Sequence, residues 1–151
     1  MITIEEFKKN QSNKIRLIAL DLGSKRIGLS ICDEKQSIAT PFKTINKTTT
    51  NKLIIELKTI IHENNIKGII IGNPINMDGS KGRSAQSVND VASNISKLIN
   101  LPVILWDERL STVAAFNLSS QLDVKVTKRV KNIDQNAAAF ILQGAIDYLN
   151  N

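Results

Sequence analysis

Asp21 stands at the end of the apolar run Ile15-Arg16-Leu17-Ile18-Ala19-Leu20 and opens the turn Asp21-Leu22-Gly23-Ser24-Lys25-Arg26-Ile27-Gly28. A carboxylate at the end of a buried strand, followed closely by two bases and two glycines, can hold a metal and steer a phosphate. The same residue types also build an ordinary hairpin turn, so further acidic residues are needed. Asp107 and Glu108 end the run Val103-Ile104-Leu105-Trp106, and Asp134 lies near the start of a helical pattern. Carboxylates gathered from three such segments repel one another and raise one pKa unless a cation neutralises them, which points to a divalent metal with oxygen ligands. Hard cations bridged by carboxylates activate water and stabilise the leaving oxygen in phosphodiester cleavage. Each acid has a plainer use: Asp134 can cap its helix, and Asp107 or Glu108 can pair with Arg109 at the surface. Neighbours on extended backbone point to opposite faces, so only one of Asp107 and Glu108 is expected to aim at the site, and periodicity leaves open which. His62, mid-helix beside Glu63, reads as a surface residue.

Bases accompany these acids. The loop from Gly72 to Gly82 leaves a parallel strand and enters a helix, a position where backbone donors meet an anion. Its spacing does not fit a nucleotide-binding P-loop. Lys81 and Arg83, with Lys25, Arg26 and Arg109, could instead bracket a nucleic-acid backbone, and Lys125, Lys128, Arg129 and Lys131 before Asp134 would add a positive edge. Such a charge run is also what a solvated face looks like.

The elements that must position these groups are legible from patterning. Residues 15–21 form a central strand with only Arg16 facing solvent. Ile27, Leu29 and Ile31 alternate with Gly28, Ser30 and Cys32, and the chain turns at 33–36 into a third strand, Ile38 to Ile45. This is an antiparallel meander whose last member, carrying Pro41, must lie at an edge. A helix spans about 48–65 on Leu53, Leu57, Ile60 and Ile61. A buried strand follows at 68–71, then a helix at about 84–99 on Val88, Val91, Ala92, Ile95 and Ile99. The strand 103–106 comes next. Ser111 or Thr112 can cap a short helix through Leu118, 121–132 is irregular and basic, and a final helix buries Ala138, Ile141, Leu142, Ala145 and Leu149. The expected fold is α/β: a five-stranded mixed sheet, three antiparallel strands then two parallel, with helices on both faces. Residues 1–14 read as an N-terminal arm, a short helix or loose, and 15–151 as one domain.

Composition agrees. A chain of 151 residues that is 42% hydrophobic suits one domain with a real core. A single cysteine, Cys32, excludes an internal disulfide and a cysteine-based metal site, and a reducing interior is expected. No apolar run approaches a membrane span and no leader pattern opens the chain. The net charge of +6 favours a polyanionic partner, while four Phe, one Tyr and one Trp are too few for a surface that stacks single-stranded bases.

The stretches Asp21 to Gly28, Gly72-Asn73-Pro74-Ile75-Asn76-Met77-Asp78-Gly79, Asp107-Glu108-Arg109-Leu110-Ser111-Thr112 and Asp134-Gln135-Asn136-Ala137-Ala138-Ala139, with Ile141-Leu142-Gln143 behind, occur in a telling order. In them the chain resembles the pre-16S ribosomal RNA nucleases, also called Holliday-junction-resolvase-like proteins, of the ribonuclease H-like superfamily. The resemblance runs from Ile15 to Leu149. It implies a ribonuclease H-like domain in the bacterial cytoplasm that matures the 5′ end of 16S rRNA. Asp21, Glu108 and Asp134 then match the family's catalytic, metal-holding acids, and Lys25, Arg26 and Arg109 its adjoining bases. Asn73 stands where leucine is usual, and Ser111 replaces the first of two threonines.

The expectation is a Mg- or Mn-dependent endonuclease on structured RNA such as pre-rRNA, alone or in ribosomal particles. It would use Lys25, Arg26, Lys81, Arg83, Arg109, Lys128 and Arg129 for the nucleic acid and work as a monomer or weak homodimer away from membranes. The alternatives are cleavage of branched DNA, a noncatalytic RNA- or ribosome-binding module, which would have no use for the acids, and an actin-like ATPase, which would need a second domain.

Overall fold

A computed structural model describes residues 1–74, 82–110 and 133–151, with the backbone alone for 83, 84 and 133–136. In chain order the elements are α1 (Ile4–Asn10), β1 (Leu17–Leu22), β2 (Arg26–Cys32), β3 (Ala39–Asn46), α2 (Thr50–Glu63), β4 (Gly68–Asn73), α3 (Arg83–Leu98), β5 (Val103–Asp107) and α4 (Ile133–Asn150). The sheet order is β3-β2-β1-β4-β5. β1 pairs antiparallel with β2 and parallel with β4, and β4 pairs parallel with β5. The run at 17–20 is therefore central, as its lack of polar alternation requires.

Alternation along the strands divides the core in two. Ile18, Leu20, Ile69 and Ile71 pack with Leu53, Leu57 and Ile60 of α2 and Val88, Ala92 and Ile95 of α3. Leu17, Ala19, Ile70 and Ile104 belong to the other cluster, with Phe7 of α1 and Ile141, Leu142, Ala145 and Leu149 of α4. Helices thus cover both faces. The N-terminal segment is docked: Thr3 caps α1 by accepting from Glu6 N, Ile4 and Phe7 are buried, and Ile2 bridges in parallel to Ile104 on the edge strand β5.

β3 is the other edge, as Pro41 demands. Its pairing with β2 slips between Leu29 and Ser30, opposite Lys43 and Pro41. Ser30 is fully buried, and its hydroxyl donates to Ala138 O of α4 at 2.7 Å. Further along, Gln143 Oε1 accepts from Ala39 N, and Asn150 Nδ2 donates to Gln36 O. Ser30 lies level with Ala19, and Ala39 with Cys32 near the start of β1. α4 therefore runs against β1, and its first turn, which includes residue 134, lies toward the rim where β1 ends.

One expectation is corrected. Arg16 does not simply face solvent: it is half-buried, donating from Nε to Cys32 O at 3.0 Å and from Nη1 to Asn64 O at 2.8 Å. Helical backbone after β5 begins at Glu108, ahead of the Ser111 or Thr112 cap. Asp107 supplies an acceptor there, its Oδ1 taking the Arg109 N–H at 3.0 Å. The cap at 111 or 112, the helix through Leu118 and the basic stretch 121–132 lie outside the described residues.

Candidate active site

The rim is built from the C-terminal ends of β1, β4 and β5. Asp21 follows Leu17 and Ala19 at the strand's period of two, so it shares their face, the side covered by α4. The turn after it is tight: Gly23 N donates to Arg26 O at 2.9 Å. A Cβ on Gly23 would lie 2.5 Å from that same oxygen, so only glycine fits.

Asp21 and Glu108 meet across the rim. Their carboxyls share a side-chain hydrogen bond, and Glu108 lies against Gly72 of the intervening strand. Burial first, then the charge of Asp21, that hydrogen bond and the charge of Asp107 push Glu108 from 4.5 up to about 7.

Asp107 turns away to Arg109. Nε lies 3.0 Å from each carboxylate oxygen and Nη2 2.6 Å from Oδ2. The guanidinium holds the Asp107 carboxyl below the usual carboxylate range. The question left open by periodicity is answered by the helical turn that starts at Glu108: the first acid caps that turn and binds Arg109, and the second reaches Asp21.

The other expected site residues divide by position. Lys25 and Arg26 are exposed on the hairpin turn of this rim, and His62 is exposed on α2, as expected. Arg83 and Asp134 are placed by backbone in the first turns of α3 and α4. Lys81, Lys125, Lys128, Arg129 and Lys131 lie outside the described residues. Among the described residues no three His, Cys, Asp or Glu side chains gather as a metal site. Asp21 and Glu108 are the two members visible there. On the opposite face of the same strand end, a cleft of about 230 Å³ opens beside Leu22, Gly23, Ser24, Lys47, Thr50 and Val88. Among the described residues that line it there is no carboxylate.

Two features of β4 were not foreseen as they stand. Gly72 opens the expected anion-binding loop in sequence, yet it sits under Glu108; a glycine ending an isoleucine-rich strand is a signal of close approach. Asn73 is buried, and its Oδ1 has no hydrogen-bond partner among the described residues. An unsatisfied buried acceptor costs about 1–3 kcal/mol. Asn73→Leu is therefore expected to raise stability by roughly 1–2 kcal/mol, about 2–6 °C in Tm, in urea and thermal unfolding of the metal-free protein.

A central strand with an antiparallel hairpin on one side and parallel strands on the other, acids on its C-terminal rim and helices on both faces define the ribonuclease H-like fold. The structure of Thermus thermophilus RuvC in complex with a Holliday junction substrate shares it. The TM-score is 0.58 at 13% identity, over 89% of this chain and 94% of that one. The chain belongs to the RuvX family, described as Holliday junction resolvase, whose sequence profile matches residues 15–148. Among its relatives, a Pelagibacter ubique protein named "Putative pre-16S rRNA nuclease" is 82% identical over 151 residues, the full length of both chains. A Rhodobacter capsulatus protein of the same name is 44% identical over 133 residues, 88% of this chain and 84% of that one.

Proposed function

We propose that this protein is a divalent-metal-dependent endonuclease for structured RNA that trims the 5′ end of pre-16S rRNA. The observation that carries the reading is the Asp21–Glu108 contact on the rim, two half-buried carboxyls from distant segments brought against each other. Their hard oxygen donors fit Mg²⁺ or Mn²⁺, and Asp21, Glu108 and Asp134 are the residues that would hold it. When bound, such a cation supplies a polarised water and charge stabilisation for the leaving oxygen. The chain's own residues do the remaining work. Asp21 and Glu108 would share a proton in the metal-free protein, and both would act as ionised oxygen donors to a bound cation. Asp107 restrains Arg109 through a two-pronged ion pair at the start of the helical turn that carries Glu108. Lys25 and Arg26 on the hairpin turn offer exposed charge to backbone phosphates. The name shared by these relatives supports rRNA as the substrate. On this reading the protein works in the cytoplasm as a monomer or weak homodimer.

The test is incubation of the purified protein with Mn²⁺ and a 5′-extended 16S precursor, free and within pre-ribosomal particles, beside a four-way DNA junction. The expected products are RNA ends with 5′-phosphate and 3′-hydroxyl groups. Preferential cutting of the junction would instead establish the second reading, branched-DNA resolution, which the family's description favours. Binding of either without cleavage would leave a noncatalytic module.

Lys128 and Arg129 precede Asp134 in sequence and, on this reading, hold phosphate without entering bond breaking. Replacing both by alanine is expected to weaken RNA binding and reduce the slope of log affinity against log salt by up to about two, since each phosphate contact contributes roughly 0.7–0.9. The single-turnover rate at saturating protein should change little. An unchanged slope would move the nucleic acid toward Lys25, Arg26, Lys81 and Arg83.

A further inference from the structure

Three segments touch at one point on the rim, and the point is a missing side chain. A Cβ built on Gly72 would lie 2.6 Å from Cδ1 of Ile141 on α4, 3.0 Å from Oε1 of Glu108 and 3.1 Å from its Cδ. At 2.6 Å the Ile141 methyl must shift, and at 3.0–3.1 Å the Glu108 carboxyl must give by a few tenths of an ångström, so a side chain here moves the end of one or both side chains. Backbone conformation does not demand the glycine: Gly72 continues the regular β4 ladder opposite Trp106, and its φ lies outside the left-handed region. What the glycine provides is room.

We infer that Gly72 is a positioning residue: the space above its bare Cα is the seat that lets Glu108 lie against Asp21 beneath α4. Ile141 closes this seat from the helix side and is itself buried. It lies two turns along α4 from position 134, so the same contact sets the helix, and with it Asp134, at its height above the sheet. Ser30 fixes that helix independently through Ala138 O. The inference rests on the proposed metal-dependent reading for its consequence in activity, but the seat can be tested without metal.

The variants are Gly72→Ala, Ile141→Val and the two together, each with and without Asp21→Asn. Ile141→Val removes Cδ1, the nearest of the atoms a Cβ at 72 would meet, and leaves Glu108 as the principal obstacle. Gly72→Ala alone should lower Tm, and adding Ile141→Val should recover most of the loss. In EDTA above neutral pH, Asp21→Asn should raise Tm in the Ile141→Val background and have less than half that effect in the double variant, because Glu108 has moved away from Asp21. Mn²⁺ binding, followed by electron paramagnetic resonance, should weaken ~10- to 100-fold in the double variant and hold within a few-fold in Ile141→Val. The same response to Asp21→Asn in both backgrounds, whether a rise or none, would overturn the seat. A parent protein that binds no Mn²⁺ would overturn the metal reading instead and leave the thermal comparison to decide about Gly72.

Discussion

Asp21→Asn is expected to reduce the single-turnover rate of RNA cleavage by on the order of 10³-fold or more while the protein remains folded. The substitution keeps the shape of the side chain and removes one full charge from the site that, on the proposed reading, holds the metal. Its effect on the metal-free fold should have the opposite sign. Asp21 and Glu108 lie within hydrogen-bonding distance, with burial and mutual repulsion holding Glu108 near neutrality, so an amide at 21 relieves an unfavourable interaction and can donate to Glu108. Loss of function combined with equal or higher Tm separates an acid that works from one that merely packs. Cleavage within a few-fold of the parent would end the metal mechanism.

The second large effect is on pH. Glu108 titrates at about 7 in the folded chain against 4.5 as its ordinary value. Between those values the native state retains a proton that the unfolded chain has lost, so the stability of the metal-free protein falls as pH rises through that window and levels off above it. With the contribution discounted for solvent screening, the loss is on the order of 1–2 kcal/mol, ~2–6 °C in Tm. Glu108→Gln should flatten this limb. Asp33 and Asp107 behave oppositely: both are held below the usual range, Asp33 mainly by its hydrogen bond from the Ser37 hydroxyl. Their stabilisation is present above the ordinary carboxylate pKa and lost as pH falls through their folded values. Mn²⁺ must displace the Glu108 proton, so its affinity should climb about tenfold per pH unit up to about 7 and then flatten. Calorimetric titrations across pH check this. A flat affinity would mean that Glu108 is not a ligand.

Much of this arrangement was readable from the chain. The unalternating run before Asp21 required a central strand, Pro41 required an edge, and the stripe from Ala138 to Leu149 required a helix lying on the sheet. Together these make up the observed topology and bring Asp21, Asp107, Glu108 and the first turn of α4 toward one rim. Periodicity stopped at the choice between Asp107 and Glu108, because the choice depends on how the backbone leaves β5. A helical turn beginning at Glu108 makes Asp107 its cap, a local competition in hydrogen bonding that strand alternation does not encode. Resemblance to the family pointed to Glu108 where patterning could not. Gly72 and Asn73 were opaque for another reason: what matters about each is the distance to side chains remote in sequence. Arg16 was misjudged similarly, since its acceptors Cys32 O and Asn64 O come from other turns of the fold.

The docking of the N-terminal segment bears on how the molecule is made. Ile2 and Phe7 leave the ribosome early, yet Ile2 is bridged to Ile104 and Phe7 packs in the cluster that contains Leu149. Until β5 and α4 have been synthesised, this segment has no surface to bury against, and the hairpin carrying Asp21 has neither Glu108 nor Asp134. Closure of these long-range contacts is therefore a late folding event. On the proposed reading, a growing chain carries Asp21 apart from Glu108 and from the first turn of α4 until β5 and α4 have been made, so the acids exist before the centre they would form.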